Sequence, residues 1–238
     1  MALPKLNETL NFTMKVPSTG KKVKFRPYLV KEEKVLLQAF ESGDVKTCLE
    51  AMADTLGACI DEKSKIDVAS LATFDVEYMF LKVRAVSVGE TSTVQIRCDE
   101  CNEPNAVVVE LDKVEVDMTA TDNVIPITES ISVEMSYPTY DTLADDDAEK
   151  LADEDVDAAM NLLAKSITAI LTDEERIDCR TENLSEVLEF LSSMTTSQLQ
   201  SVGSFLENMP SLRHAVEFEC EHCKHQNNLE LKGLSDFF

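Results

Sequence analysis

The sequence predicts an α+β fold in which helical segments pack with small β-hairpins. Three observations predict it. Apolar residues recur at helical spacing over 31–42, 45–60, 75–87 and 156–171. Strict apolar–polar alternation marks an extended pair at 8–26. Two further strand pairs each flank a Cys-x-x-Cys turn, at Cys98 to Cys101 and at Cys220 to Cys223.

Taken in order, Leu10, Phe12, Met14 and Val16 alternate with polar residues, Pro17, Ser18, Thr19 and Gly20 supply a turn, and Val23 and Phe25 resume the alternation. The helix expected over 31–42 carries apolar Val35, Leu36, Ala39 and Phe40, and Gly43 stands where a left-handed residue closes a helix. Asp44 is placed to cap the next helix, whose stripe runs from Val45 through Cys48, Leu49, Met52 and Leu56 to Cys59 and Ile60. Val68 and Leu71 suggest a short helical piece before the helix over 75–87. Strands are expected at 92–97, 106–111 and 126–136, helices at 156–171, 184–193 and 197–208 with Thr196 as a cap, and closing strands near 215–219 and 228–232. No low-complexity stretch or linker divides the chain. The expectation is a single domain over 1–238, comprising an N-terminal hairpin arm (1–30), a helical part (31–90), the first knuckle and its strands (91–137), an acidic and helical part (138–213), and the second knuckle with the C-terminal tail (214–238).

Composition restricts function. With 44% hydrophobic residues the chain can bury a core, and without Trp that core rests on Leu, Val, Ile and Met. The formal net charge is -23, from 22 basic and 45 acidic residues, so phosphate backbones and anionic membranes are repelled. Residues 1–40 depart from this, with eight Lys/Arg against three acids. A basic arm on an acidic body suits docking to acidic protein, or to an acidic part of itself; a solvated hairpin is the alternative reading. The first residues lack the basic and apolar regions of a signal peptide, and no apolar run approaches the roughly 20 residues that span a bilayer. The expectation is a soluble protein made in a reducing cytoplasm, where seven cysteines do not read as a disulfide framework.

Four of those cysteines form the pairs Cys98/Cys101 and Cys220/Cys223, with 118 residues between the pairs. Val94, Gln95, Ile96 and Arg97 precede the first pair; Val216, Glu217, Phe218 and Glu219 precede the second. An Asn follows each pair four residues on, Asn105 and Asn227, and apolar strands come after it. The pattern is a short repeat of strand, knuckle, strand. Two cysteines three apart on a tight turn present half of a tetrahedral site, and two knuckles complete it, with zinc as the expected structural ion. Iron held as in rubredoxin, two separate disulfides and a redox pair are the alternatives. Four thiolates leave no open position for a catalytic water. His222 and His225 sit beside the second knuckle; either could replace a cysteine as ligand, and solvated neighbours of the ligands is the preferred reading. Cys48 and Cys59 read as buried core thiols, and Cys179 is given no role.

No phosphate-binding Gly-rich loop, Gly-x-Ser-x-Gly elbow or His-Glu-x-x-His helix occurs. The nine acids within 141–157 lack the central Gly and ligand spacing of a calcium loop. No residue is assigned a catalytic role, and neither an enzyme nor a small-molecule substrate is expected.

Four segments carry a family resemblance. The first runs from Val16 to Gly20 and from Phe25, Arg26, Pro27 and Tyr28 through Lys34; the second from Phe74 through Arg84 and on to Ser87, Val88, Gly89 and Glu90. The third is Glu207, Asn208, Met209, Pro210, Ser211, Leu212, Arg213 and His214; the fourth is the ending Leu231 to Phe238. In these the sequence resembles the baseplate hub proteins of T4-like contractile-tailed phages. The resemblance implies a role in the central hub of the tail baseplate or in its assembly, with other tail hub proteins as partners, the host cytoplasm as the place of assembly and the virion baseplate as the destination. A transient hub assembly chaperone absent from the virion is the alternative within that family. Outside it stand a zinc-ribbon nucleic-acid binder, disfavoured by the acids Asp99, Glu100, Glu103, Glu217, Glu219 and Glu221 around the knuckles, and a thiol oxidoreductase, which needs a solvent-open cysteine of low pKa. The candidate partner surface comprises Lys21, Lys22, Lys24 and Arg26 of the hairpin and the terminal Phe237 and Phe238, the phenylalanines having folding back onto the core as their alternative.

Overall fold

A computed structural model describes residues 12–119, 122–144 and 155–237. The chain opens with the antiparallel pair β1 (Phe12–Lys15) and β2 (Lys22–Phe25), in which Met14 faces Val23 and Lys15 faces Lys22. Alternation divides the hairpin as the sequence requires: Met14, Val23 and Phe25 are buried, while Thr13, Lys15, Lys22 and Lys24 point to solvent. Gly20 takes φ 65° in the connecting turn. Helix α1 (Val30–Ser42) ends on Gly43 at φ 70°, and α2 (Val45–Cys59) starts where the Asp44 carboxylate accepts the Thr47 N–H at 3.1 Å. Arg26 locks the hairpin to α1. Its guanidinium pairs with Glu32 at 3.0 Å, and Glu32 also accepts the Leu29 N–H at 2.8 Å, closing the first turn of the helix.

Helix α3 (Thr73–Ser87) is apolar on most of its circumference because it is covered on two sides. Val76, Met79, Phe80 and Val83 join the hairpin, α1 and α2 in one core cluster, while Leu81 and Ala85 belong to a second. At its start the fully buried Asp75 accepts both the N–H (2.9 Å) and the hydroxyl (2.5 Å) of Ser18, so the hairpin turn is anchored to α3.

The second cluster is built on β3 (Thr91–Arg97) paired with β4 (Pro104–Glu110), and on a three-stranded sheet in the order β11 (Gln226–Lys232), β10 (Ser211–Glu219), β5 (Glu115–Asp117). All these pairings are antiparallel. Lys82 of α3 donates to the carbonyls of Leu111, Asp112 and Val114 at 2.7–3.2 Å and so fastens the turn between β4 and β5 to the helix. A four-stranded antiparallel sheet in chain order, β6 (Val124–Pro126), β7 (Ile131–Met135), β8 (Ile167–Thr172) and β9 (Arg176–Asp178), makes a third cluster. It packs with α5 (Val156–Ser166), α6 (Leu184–Ser192) and α7 (Thr196–Glu207). Short α4 (Tyr140–Ala144) contributes Tyr140 to the first cluster. The Tyr137 ring stands edge-on to Phe74 of α3 (centroids 5.4 Å apart) and stacks on Phe205 of α7 (4.8 Å), joining the third cluster to α3.

Seven helices and several small antiparallel sheets among the described residues make the fold α+β. Some boundaries differ from the sequence expectation. The helix expected over 156–171 ends at Ser166, and Ile167 to Thr172 form β8, because this stretch is rich in β-branched residues and fits the sheet better than a helix. Residues 68–71 form a turn closed by Leu71 N–H to Val68 O (3.2 Å), not a helical piece. The cap of α7 is Thr195, one residue before the expected Thr196, with Gln198 reaching back to the Thr195 N–H at 2.9 Å. Residues 145–154 of the acidic stretch, Phe238 and residues 8–11 of the expected hairpin lie outside the described residues.

Candidate metal centre

Each Cys-x-x-Cys turn closes one hairpin ladder, and the two are built alike. Cys98 N–H donates to Glu103 O (3.0 Å) and Asn102 N–H to Cys98 O (2.8 Å); Cys220 N–H donates to His225 O (2.8 Å) and Lys224 N–H to Cys220 O (3.0 Å). The residue after the second cysteine is left-handed in both, Asn102 at φ 58° and Lys224 at φ 62°. Such a turn directs the two sulfurs of a knuckle to the same side.

The structure brings all four together. The Sγ atoms of Cys98, Cys101, Cys220 and Cys223 lie within 4.8 Å of one another. Two contacts between knuckles, Cys98 to Cys223 and Cys101 to Cys220, are each 3.6 Å. Thiolates about 2.3 Å from one tetrahedral ion are separated by about 3.8 Å. The four sulfurs therefore already stand near the corners of such a site, and they could hold a metal ion. Cys98 and Cys220 are buried, Cys101 is half-buried and Cys223 is exposed, so the cluster sits at the surface with one edge to solvent.

Two asparagines brace it. Asn105 Oδ1 accepts the Glu221 N–H and Asn227 Oδ1 accepts the Asp99 N–H, both at 2.9 Å, so each side chain crosses into the other knuckle. Their amide groups donate within their own hairpins, Asn105 to Glu103 O (2.9 Å) and Asn227 to His225 O (3.1 Å). The Asn105 amide also lies 3.6 Å from Cys220 Sγ. The sequence shows these residues as a recurring feature; their bracing role needed the pairing of the two hairpins in space.

The electrostatics divide the thiols into two kinds. Burial would raise Cys98, but the N–H groups of Cys101 and Glu100 outweigh it and lower its pKa. Cys220 is drawn down to about 6, chiefly by the Cys223 N–H, against the effect of burial. Cys101 is drawn down by the Glu103 N–H, but burial and the three neighbouring sulfurs push it up to about 12. The His225 N–H, and to a lesser degree Cys101, draw the Cys223 thiol down, but burial and the sulfurs of Cys98 and Cys220 outweigh them and raise it. Four sulfurs this close cannot all ionise on their own. A divalent cation removes that conflict and stabilises every thiolate, so the donor set fits a metal by its chemistry as well as its spacing.

The remaining cysteines and histidines lie elsewhere. His222 and His225 are exposed, and the four-sulfur cluster is complete without either. Cys59 is fully buried in the first core cluster, where burial pushes its thiol up to about 11. Cys48 is half-buried against the same cluster, and Cys179 packs in the third cluster. Of the candidate partner residues, Lys21, Lys22 and Lys24 are exposed, with the Lys21 ammonium on Ser64 O at 2.5 Å. Arg26 is largely covered and engaged with Glu32. Phe237 is fully buried in the second cluster, so its ring is part of this chain's own core.

The family model for T4 bacteriophage base plate protein matches residues 8–238. The chain belongs to this family. No curated protein and no solved structure matches it. As a T4 base plate family member the chain has support for a structural or assembly role in the phage baseplate, among other baseplate proteins of the virion tail. Among its described residues no helix is long and apolar enough to cross a membrane.

Proposed function

We propose that this base plate family member is a structural or assembly component of the central hub of a contractile tail baseplate, a non-enzymatic protein that acts through protein–protein binding. The observation that carries the reading is the family match over nearly the whole chain, 8–238. The metal centre supports a structural role, since four sulfurs around one ion leave no position for a substrate or a water. Zinc is the ion proposed for Cys98, Cys101, Cys220 and Cys223. It has no redox chemistry and accepts tetrahedral thiolate sets, and it would join two hairpins far apart in sequence. The exposed hairpin lysines on a chain of net charge -23 are the proposed docking face toward acidic baseplate proteins.

Mass spectrometry of purified virions tests the reading. Stoichiometric recovery of the chain with tail proteins is expected. Its absence from virions, with presence in hub assembly intermediates, assigns it instead as a chaperone that leaves before maturation. Absence from both overturns the baseplate reading.

A further inference from the structure

Between α1, α2, α3 and α4 lies a cavity of about 350 Å³ whose wall includes Phe40, Met52, Phe80, Tyr140 and Leu234. That volume is in the range of sites that accept a ligand group. One charged side chain, Glu77 of α3, also lines it. Among the described residues Glu77 has neither a hydrogen-bond nor an ion-pair partner, and burial pushes its carboxyl up to about 7. Tyr140, the other titratable group in the wall, turns its hydroxyl to Met52 Sδ at 3.7 Å. Phe40 and Phe80 also border a second hollow of about 230 Å³, whose surface includes Leu37 and Val88 and the charged Glu33 and Arg84. On that surface Phe40, Leu37 and Val88 are 49%, 56% and 55% exposed.

An unpaired carboxyl among apolar walls is unfavourable, and a purely apolar occupant would leave it so. A cation on an aliphatic stem satisfies both parts of the site: methylenes against the aromatic and thioether walls, charge against the carboxylate. We propose that this cavity is a docking site for a basic side chain of a partner protein, lysine or arginine, with Glu77 receiving the cation. The chain's net charge of -23 favours approach by basic partners. The inference rests on the reading that this chain works by binding proteins, and it names the chemistry of one contact.

Calorimetric titration of the full chain with n-hexylammonium, n-butylguanidinium, n-hexanol and hexanoate tests the site. One or both cations should bind at least ten-fold tighter than the alcohol or the carboxylate, and the better cation names the lysine or arginine. Glu77→Gln should remove that preference, and Ser235→Trp, an exposed position at the rim, should block every probe. Phage carrying either variant should assemble at least ten-fold fewer tails, while the isolated variants melt no lower than the parent chain. Equal binding of alcohol and cation, an unchanged preference in Glu77→Gln, or no binding of any probe overturns the proposal. Probe binding with normal tail assembly in both variants also overturns it, because the cavity then serves a small molecule and no partner. The virion analysis decides the baseplate reading independently of the titration.

Discussion

Asn105 and Asn227 exchange places: each sets its side-chain oxygen 2.9 Å from a backbone N–H in the other's knuckle. The relation is that of an approximate two-fold axis through the four sulfurs, since Asn105 stands to Cys101 as Asn227 stands to Cys223. The correspondence extends along the strands. Val94 and Val216, and Val109 and Leu231, are matched buried positions in the second core cluster. Leu111 N–H donates to Glu90 O (2.8 Å) and Gly233 N–H to Leu212 O (3.0 Å), which closes the far end of both hairpins in the same way. The four-cysteine cluster is thus the meeting point of two copies of one structural unit.

This symmetry predicts equal effects. Asn105→Ala orphans the Glu221 N–H and Asn227→Ala the Asp99 N–H; both bonds are half-buried, so each loss should cost on the order of 1 kcal/mol, at the low end of the range for an unmade hydrogen bond. Denaturant titration should place both variants below the parent by similar amounts. A loss in one with none in the other would show that the two arms do not brace the site equally.

The metal centre should dominate stability near the knuckles. One zinc per chain is expected from elemental analysis of protein purified without chelator. Cys220→Ser removes a ligand and should cost several kcal/mol, because apparent binding energies of structural zinc are about 10–16 kcal/mol. Cys179→Ser, in the third cluster and away from the four sulfurs, should be much milder. Equal melting temperatures for the two variants would sink the idea that the ion joins the hairpins.

Much of this was legible in the sequence, for identifiable reasons. The knuckles were readable because ligand spacing and flanking residues repeat together. Helices α1 and α2 were readable because Gly43 and Asp44 carry the stop and start chemistry. The end of α5 was not, since Ile167 and Leu171 continue the helical spacing while also suiting a strand. Strand β5 was hidden because it is three residues long and exists by pairing with Ser211, Leu212 and Arg213, far away in sequence. Glu77 gave no sign: a carboxylate on a helix is ordinary until α1, α2 and α4 close over it.

Lys224 offers a test of backbone strain. Its counterpart in the first knuckle is Asn102, and Asn tolerates a left-handed backbone better than Lys does. Lys224→Asn should therefore stabilise, by part of the roughly 1–2 kcal/mol that a left-handed backbone costs an L-residue. The ion pair lost with Glu219, at 3.7 Å and exposed, contributes little against this. A lower denaturation midpoint in the variant would refute the strain assignment.

Glu77 makes stability depend on pH. Its folded pKa is raised from 4.5 to about 7 by burial, so between those values the folded chain holds a proton that the unfolded chain has released. Stability from this group is full below the unfolded value and is lost as pH rises through the folded one. The span of the shift corresponds to a loss on the order of 3 kcal/mol. Glu77→Gln should match the parent near pH 4 and exceed it at pH 8, with the difference growing between. Melting curves whose difference is the same at both pH values would contradict this origin.

The hairpin lysines separate folding from docking in one substitution. Lys22 faces Lys15 directly across β1 and β2, both side chains point to solvent, and among the described residues neither has an ion-pair partner. Like charges opposite each other in a sheet are unfavourable, and an opposite pair contributes roughly 0.2–1 kcal/mol. Lys22→Glu should therefore raise the stability of the isolated chain slightly while weakening tail assembly, because it reverses charge in the middle of the proposed docking face. Lys24→Glu, whose cross-strand neighbour is Thr13, should weaken assembly without the gain in stability. Deleting Phe237 is no test of docking, since that ring is buried in the second core cluster and its loss would disturb the fold itself. Complementation with each lysine variant, read as tails per infected cell beside the melting temperature of purified protein, checks the pair. If both variants assemble normal tails, the docking surface lies elsewhere on the chain; if Lys22→Glu lowers the melting temperature, the lysine pair supports the fold and the charge argument fails.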